Sequence, residues 1–187
     1  MTDLLGNMKR THHCCELTNA DIDKQVVLMG WVQHRRDHGG VVFVDLRDRE
    51  GITQVVFNPE VSAKVHEKAQ NIRNEYVLGI KGTVIARPSD MLNPKMKTGA
   101  IEIMVDELRI FSKAKTPAFQ IEDRIEASET IRLQYRYLDL RRRQLKNNIL
   151  ARHKATMAVR NYLNENDFID IETPFLTKST PEGARDY

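Results

Sequence analysis

What the chain lacks narrows it first. Its 187 residues include only two cysteines, Cys14 and Cys15. They are adjacent, so no disulfide can join distant segments and no thiolate set can close a zinc site. A reduced compartment without structural zinc or any other bound metal is expected. No run approaches the roughly 18 to 20 consecutive apolar residues that cross a bilayer. The first residues, Met1-Thr2-Asp3-Leu4-Leu5-Gly6-Asn7, lack a basic region followed by a long apolar one, so the cytoplasm is expected and no membrane partner. There is no internal repeat and no low-complexity tract. Charge of one sign is also scarce: a formal net charge of +3 does not by itself argue for a nucleic-acid partner, and the placement of the basic residues decides.

What is present fits a globular protein of one to two domains, with 41% hydrophobic and 29% charged residues. Short β-branched and aromatic runs cover Val26 to Val32, Val41 to Arg47, Ile52 to Phe57, Tyr76 to Ala86 and Ile101 to Ile110. Asp37-His38-Gly39-Gly40 and Asp48-Arg49-Glu50-Gly51 separate the first three as tight hairpins, because Gly takes positive φ without steric cost. After Asn58-Pro59, the spacing of Val61, Val65, Ala69 and Ile72 predicts a helix, with Pro in its first turn. Three strands, a helix and two strands is the order of the five-stranded OB-fold, the oligonucleotide- and oligosaccharide-binding barrel.

Periodicity fades from Ser112 to Ser128, and Pro117 breaks any regular element, so a linker is expected there. A helical segment is expected next, at about Glu129 to Tyr137. From Arg132 to Arg160 nine basic residues stand against one acidic residue, Asp139. In the same stretch Ala151, Ala155, Val159 and Tyr162 form an apolar stripe, predicting an amphipathic helix over about Gln144 to Asn164. Phe168 to Pro174 reads as extended. The run Arg141-Arg142-Arg143 is either a solvated face or a backbone contact for a polyanion.

Strand alternation assigns faces, because residues two apart share a side. Val42, Val44 and Leu46 form the apolar set of the second strand, which turns Val41, Phe43, Asp45 and Arg47 outward. Thr53, Val55 and Phe57 are the core set of the third, leaving Gln54 on the other side, and Glu102 alternates against Ile101 and Ile103. An outward aromatic beside an amide, a carboxylate and the arginines Arg35 and Arg36 suits unpaired bases: stacking gives binding, and edge hydrogen bonds give identity. Cys14 and Cys15 read as inert thiols near a mobile terminus. With His12 and His13 they make four adjacent residues, which cannot all point at one ion.

Gly30-Trp31-Val32-Gln33-His34-Arg35-Arg36-Asp37 followed by Phe43-Val44-Asp45-Leu46-Arg47-Asp48-Arg49-Glu50-Gly51 closely resembles bacterial aspartyl-tRNA synthetases. Tyr135-Arg136-Tyr137-Leu138-Asp139-Leu140-Arg141-Arg142 resembles the hinge of that family. Ile171-Glu172-Thr173-Pro174 resembles its first class II signature, and Thr180-Pro181-Glu182-Gly183-Ala184-Arg185-Asp186-Tyr187 resembles the segment just after that signature. The resemblance implies an OB-fold anticodon-binding domain with an N-terminal extension over 1–111, a linker and hinge over 112–143, and the start of a class II α+β catalytic domain over 144–187. It implies that Phe43 stacks on an anticodon base, that Gln54 reads the central uridine, and that Arg36, Arg87, Asn93 and Glu102 make further anticodon contacts. Glu182 matches a carboxylate that contacts the L-aspartate substrate, where negative charge suits the α-ammonium, and Pro174 matches the first-motif proline at the dimer interface. His38 matches a loop position at which enzymes charging both the aspartate and asparagine tRNAs carry His. Asp90, in the second discrimination loop, is not the Gly of those relaxed enzymes. Val56, Asp167 and Ala100 depart from the family pattern, replacing an aromatic of some relatives, the usual Gly and a frequent Glu.

The implied reaction activates L-aspartate with ATP, with Mg2+ offsetting phosphate charge, and transfers it to tRNA(Asp), or to tRNA(Asn) as well in the relaxed form. The full-length enzyme is expected to be a homodimer. The later class II signatures are expected beyond Tyr187, so the chain is read as an N-terminal piece without catalytic residues, inactive alone and with no cofactor bound. Two alternatives stay open: a free-standing OB-fold nucleic-acid-binding module, which leaves Glu172 to Tyr187 unexplained, and a fragment of the asparaginyl or lysyl branch, disfavoured by Glu182 to Tyr187.

Overall fold

A computed structural model describes residues 2–176. The chain divides into two compact units, Met1–Pro117 and Ala118–Tyr187. In the first, strands β1 (Gln25–His38), β2 (Val41–Arg47), β3 (Ile52–Phe57), β4 (Val77–Ala86) and β5 (Ile101–Ser112) close a barrel in the order β1-β2-β3-β5-β4. All neighbours are antiparallel except β3 and β5, which run parallel. The expected OB-fold order is therefore present. Its interior is filled by the alternating sets: Val42, Val44, Leu46, Thr53, Val55 and Phe57 are wholly buried.

β1 runs six residues past the expected end at Val32, with a register shift between Val32 and His34. Gln33 to His38 are polar because this end of the strand is only partly covered, yet the ladder to β2 continues to the pair His38↔Val41. Gly39 and Gly40, at φ +60° and +76°, make the two-residue turn with both central residues left-handed that suits a twisted hairpin.

Helix α1 (Ala63–Gln70) starts later than expected. Asn58-Pro59 forms a separate turn, with Asn58 O accepting from Val61 and Ser62, and the Ser62 hydroxyl caps the helix by accepting from Val65 N–H at 3.4 Å. Val61 is consequently left exposed, while Ala69 and Ile72 enter the core.

The N-terminal residues are not the mobile terminus expected around Cys14 and Cys15. Asp3 exchanges bonds with Ile110, Thr11 N–H donates to Val27 O, and Cys14 and Leu17 belong to the barrel core. Burial pushes the Cys14 thiol far above its usual range, so this sulfur behaves as a small apolar side chain.

In the second unit, α2 (Glu129–Gln134) and α3 (Arg136–Asp139) precede α4 (Arg143–Glu165). Phe119, Ile121 and Leu138 form a small core, with Ile125, Ala127 and Tyr135 against it. Arg142 fastens this unit: it donates to Glu122 O and Asp123 O, each at 2.7 Å, and to Asp139 Oδ1 at 2.8 Å. The expected amphipathic helix forms as α4, but none of its residues is buried among the described ones, and Val159 and Tyr162 of the apolar stripe are exposed. Residues 168–174 carry no strand or helix.

A polar chain beside an aromatic on the barrel face

β1, β2, β3 and β5 bring four side chains of the outer face into one hydrogen-bonded chain. Arg36 on β1 lies opposite Phe43 on β2, and Asp45 lies opposite Gln54 on β3. Arg36 Nη2 donates to Asp45 Oδ1 at 2.9 Å and to Gln54 Oε1 at 3.1 Å. Gln54 Nε2 donates to Glu102 Oε2 at 2.8 Å. Arg87, just past β4, stands 4.0 Å from the same carboxylate and donates its Nε–H to Ile101 O at 2.9 Å. Phe43 is half-buried at the margin of the chain, between Arg36 and Val56 in register.

Depth sets the electrostatics. Asp45 and Glu102 are buried although alternation puts them on the outer face. Burial raises the Glu102 carboxyl above its ordinary value, with the Gln54 hydrogen bond and the Arg87 charge opposing. Burial likewise lowers the Arg87 guanidinium, opposed by Glu102 and Asp45. A primary amide carries two N–H donors and two carbonyl lone pairs. Gln54 spends one of each on its neighbours, so a donor and an acceptor remain for an incoming group. With a half-exposed ring next to it, this face can stack a planar base and read its edge.

Of the expected contact residues, Arg36, Phe43, Gln54, Arg87 and Glu102 thus come together. Asn93 lies in the loop after β4, where its Oδ1 accepts from Lys95 N–H at 3.1 Å and its N–H donates to Gly99 O at 3.0 Å. His38 is exposed at the end of β1, and Asp90 is exposed in the short 3-10 turn Ser89–Met91. Arg35 is turned away from Phe43: its Nε–H donates to Ala69 O at 3.4 Å and its Nη2 to Asp37. Val56 is buried and gives no second stacking surface. Asp45 joins the site without having been expected there as a contact, although its place on the strand beside Phe43 is legible from alternation. Glu182 lies outside the described residues. Among the described residues, no group of three or more His, Cys, Asp or Glu could hold a metal ion, and no helix is long and apolar enough to cross a membrane.

Comparison with known proteins separates the two parts. A family described as an OB-fold nucleic acid binding domain matches residues 26–111, and one described as class II tRNA synthetases (D, K and N) matches residues 128–187. A nucleic-acid-binding barrel joined to a class II synthetase segment is thereby defined. Curated relatives include the aspartate–tRNA(Asp/Asn) ligase of Desulfotalea psychrophila, 64% identical over 98% of this chain and 30% of the relative. The protein of the same name from Desulfosudis oleivorans is 63% identical over 100% of this chain and 31% of its own length. Among solved structures, asparaginyl-tRNA synthetase from Pyrococcus horikoshii complexed with asparaginyl-adenylate matches with a TM-score of 0.79 at 25% identity, covering 95% of this chain and 39% of that one. The chain belongs to the aspartyl-tRNA synthetase family of class II. It spans about 30% of the length of the curated relatives it matches.

Proposed function

We infer that the barrel recognises the anticodon of tRNA(Asp) on behalf of an enzyme that joins L-aspartate to that tRNA. The observation that carries this reading is the chain Asp45–Arg36–Gln54–Glu102 beside Phe43. Phe43 stacks on an anticodon base, Gln54 reads the central uridine, and Arg36, Arg87, Asn93 and Glu102 line the same face. His38 and Asp90, on two exposed loops, are the positions that decide whether tRNA(Asn) is accepted as well. A loop selects between bases by excluding one of them or tolerating both. The name of the relatives, with both tRNAs in it, favours the relaxed form.

In the whole protein, the aspartate carboxylate would attack the α-phosphorus of ATP to form an adenylate with release of pyrophosphate, the aspartyl group would pass to the tRNA with release of AMP, and Mg2+ would offset the phosphate charge. The described residues offer no cluster of acidic or imidazole groups for that ion, and no step is assigned to them. Glu182 pairs with the substrate ammonium, Pro174 lies at the interface of a homodimer, and the enzyme works in the cytoplasm.

The test is binding of the 187-residue chain to anticodon stem-loop RNA. Phe43→Ala is expected to weaken binding by roughly 1 to 3 kcal/mol, the worth of a base–aromatic contact, and Gln54→Ala to weaken it as well through loss of the hydrogen bonds to the base edge. His38→Leu is expected to weaken the asparagine stem-loop more than the aspartate one. Full affinity in both the Phe43 and Gln54 variants would overturn the assignment.

A further inference from the structure

The hydrogen bonds around Gln54 have a direction. A carboxylate only accepts and a guanidinium only donates. The Gln54 amide therefore has its nitrogen toward Glu102, at 2.8 Å, and its oxygen toward Arg36, at 3.1 Å. Turning the amide over would set its oxygen against the Glu102 carboxylate and its NH2 against the guanidinium, two repulsive contacts in place of two charge-assisted bonds. Asp45 holds the second end of the lock. Its side chain is 10% exposed and accepts from the Arg36 Nη2 that serves Gln54, whereas the Arg36 side chain is itself 54% exposed. Without Asp45 that guanidinium would be free to swing into solvent, releasing the amide oxygen.

We propose that Arg36, Glu102 and Asp45 are positioning residues that lock the Gln54 amide in one orientation, and that this lock decides which pyrimidine the site accepts. The inference rests on the reading of this face as the anticodon site and goes beyond it. Uracil presents a carbonyl acceptor beside a ring N–H donor, whereas cytosine presents an amino donor beside a ring acceptor, so the two edges have opposite order. An amide free to rotate serves either by turning over. A locked amide serves one, and it meets the other with donor facing donor and acceptor facing acceptor, as specificity by exclusion requires. Asp45 needs no contact with RNA to act in this way.

The experiment measures binding of the 187-residue chain to hairpin RNAs that carry the aspartate anticodon with U or C in the middle position, and to hairpins changed at the first or third position. The wild-type chain is expected to prefer U by about tenfold or more, the ratio of a good edge contact. Glu102→Gln supplies an amide that can offer either atom and so removes one of the two contacts that oppose a turned Gln54, and the U/C ratio is expected to fall several-fold, with C binding gained. Asp45→Asn is expected to lower the ratio several-fold, and to change nothing further when added to Gln54→Ala, since coupled residues lose their effect once the shared partner is gone. An unchanged U/C ratio in both Glu102→Gln and Asp45→Asn would overturn the lock. So would loss of selectivity at the first or third position instead of the middle, which would mark Glu102 as a direct base contact. A wild-type chain that binds none of the hairpins would overturn the anticodon reading itself, a result distinct from failure of the lock. The free wild-type chain gives a readout that does not depend on folding of the variants: the Gln54 amide proton facing Glu102 is expected to exchange with solvent more slowly than its geminal partner. Equal, fast exchange of both would overturn the lock.

Discussion

Arg47 Nη2 donates to both carboxylate oxygens of Glu75 at 2.9 Å, and the two side chains are only 14% and 11% exposed. Glu75 adopts φ +64°, a left-handed conformation that costs most side chains free energy and favours glycine. It also ties the loop after α1 to the barrel, its N–H donating to Val32 O at 2.7 Å. The ion pair therefore holds a strained residue in place. Glu75→Ala keeps the backbone cost and strands a covered guanidinium, and is expected to destabilise the barrel by about 3 kcal/mol. Glu75→Gly relieves the backbone and should cost less than Glu75→Ala, against the usual ranking of the two residues. Urea unfolding of both variants checks the order.

The end of α4 carries a similar cost without the compensation. Asp167 N–H donates to Asn164 O at 3.2 Å and Phe168 N–H to Leu163 O at 3.0 Å, the paired bonds of a helix stop with a left-handed residue just past the cap. Asp167 is that residue, at φ +65°. The usual Gly of the family at this position has a backbone reason. Asp167→Gly is expected to stabilise the helix end by about 1 kcal/mol. Slower amide exchange over Leu163 to Phe168 would show it, and unchanged exchange would count against it.

Legibility of the fold followed what side-chain pattern can carry. Val42, Val44 and Leu46 against Phe43 and Asp45 gave the faces of β2 correctly, because the interior admits only apolar groups there. Pattern records side and not depth, however: Val56, Asp45 and Glu102 lie on the outer face and are nonetheless buried by neighbouring strands and loops. It is also silent where main-chain bonds do the holding. Gln33 to His38 lengthen β1 without an apolar alternation, and Asp3 and Thr11 dock through backbone contacts to Ile110 and Val27. Alternation places Phe43, Gln54 and Glu102 on the outer face, whereas Arg36, Arg87 and Asn93 rest on resemblance: Arg36 lies in the polar end of β1 and the other two at and beyond the end of β4, where no periodicity holds.

Two carboxylates should tilt the pH profile of stability in opposite directions. Burial raises Glu102 above its ordinary value, so its contribution is full below the unfolded value and is lost as pH rises through the folded one. The Lys68 hydrogen bond, followed by the bond from Ile110, lowers Asp3; its contribution is present above the unfolded value and lost as pH falls through the folded one. Glu102→Gln is thus expected to gain on the wild type as pH rises from the ordinary carboxylate range. The deficit of Asp3→Asn should shrink as pH falls below that range. Denaturant unfolding across pH checks both slopes, and parallel profiles would contradict the assignment.

The second unit depends on a side chain that Lys cannot replace. Asp139 is 1% exposed, and its two oxygens accept from different arginines, Oδ2 from Arg136 at 2.9 Å and Oδ1 from Arg142 at 2.8 Å. Arg142 reaches Glu122 O and Asp123 O with its other nitrogens. Three acceptors in different directions need the planar fork of a guanidinium, and an ammonium on a shorter stem reaches one of them. Asp123, held in place this way, extends its Oδ1 to Gln144 N–H at 2.9 Å and caps α4, whose own N-cap residue Arg142 has no side-chain bond to the helix. Arg142→Lys is therefore expected to cost about 3 kcal/mol, the penalty for breaking a buried pair, and to fray the first turn of α4. Asp123→Ala should fray that turn at about 1 kcal/mol, the worth of a cap, and leave the Phe119–Leu138 core intact. Hydrogen exchange separates the two: Arg142→Lys should raise rates over both 119–139 and the start of α4, Asp123→Ala over the start of α4 alone. Equal patterns would mean that the cap and the core are not joined through Arg142.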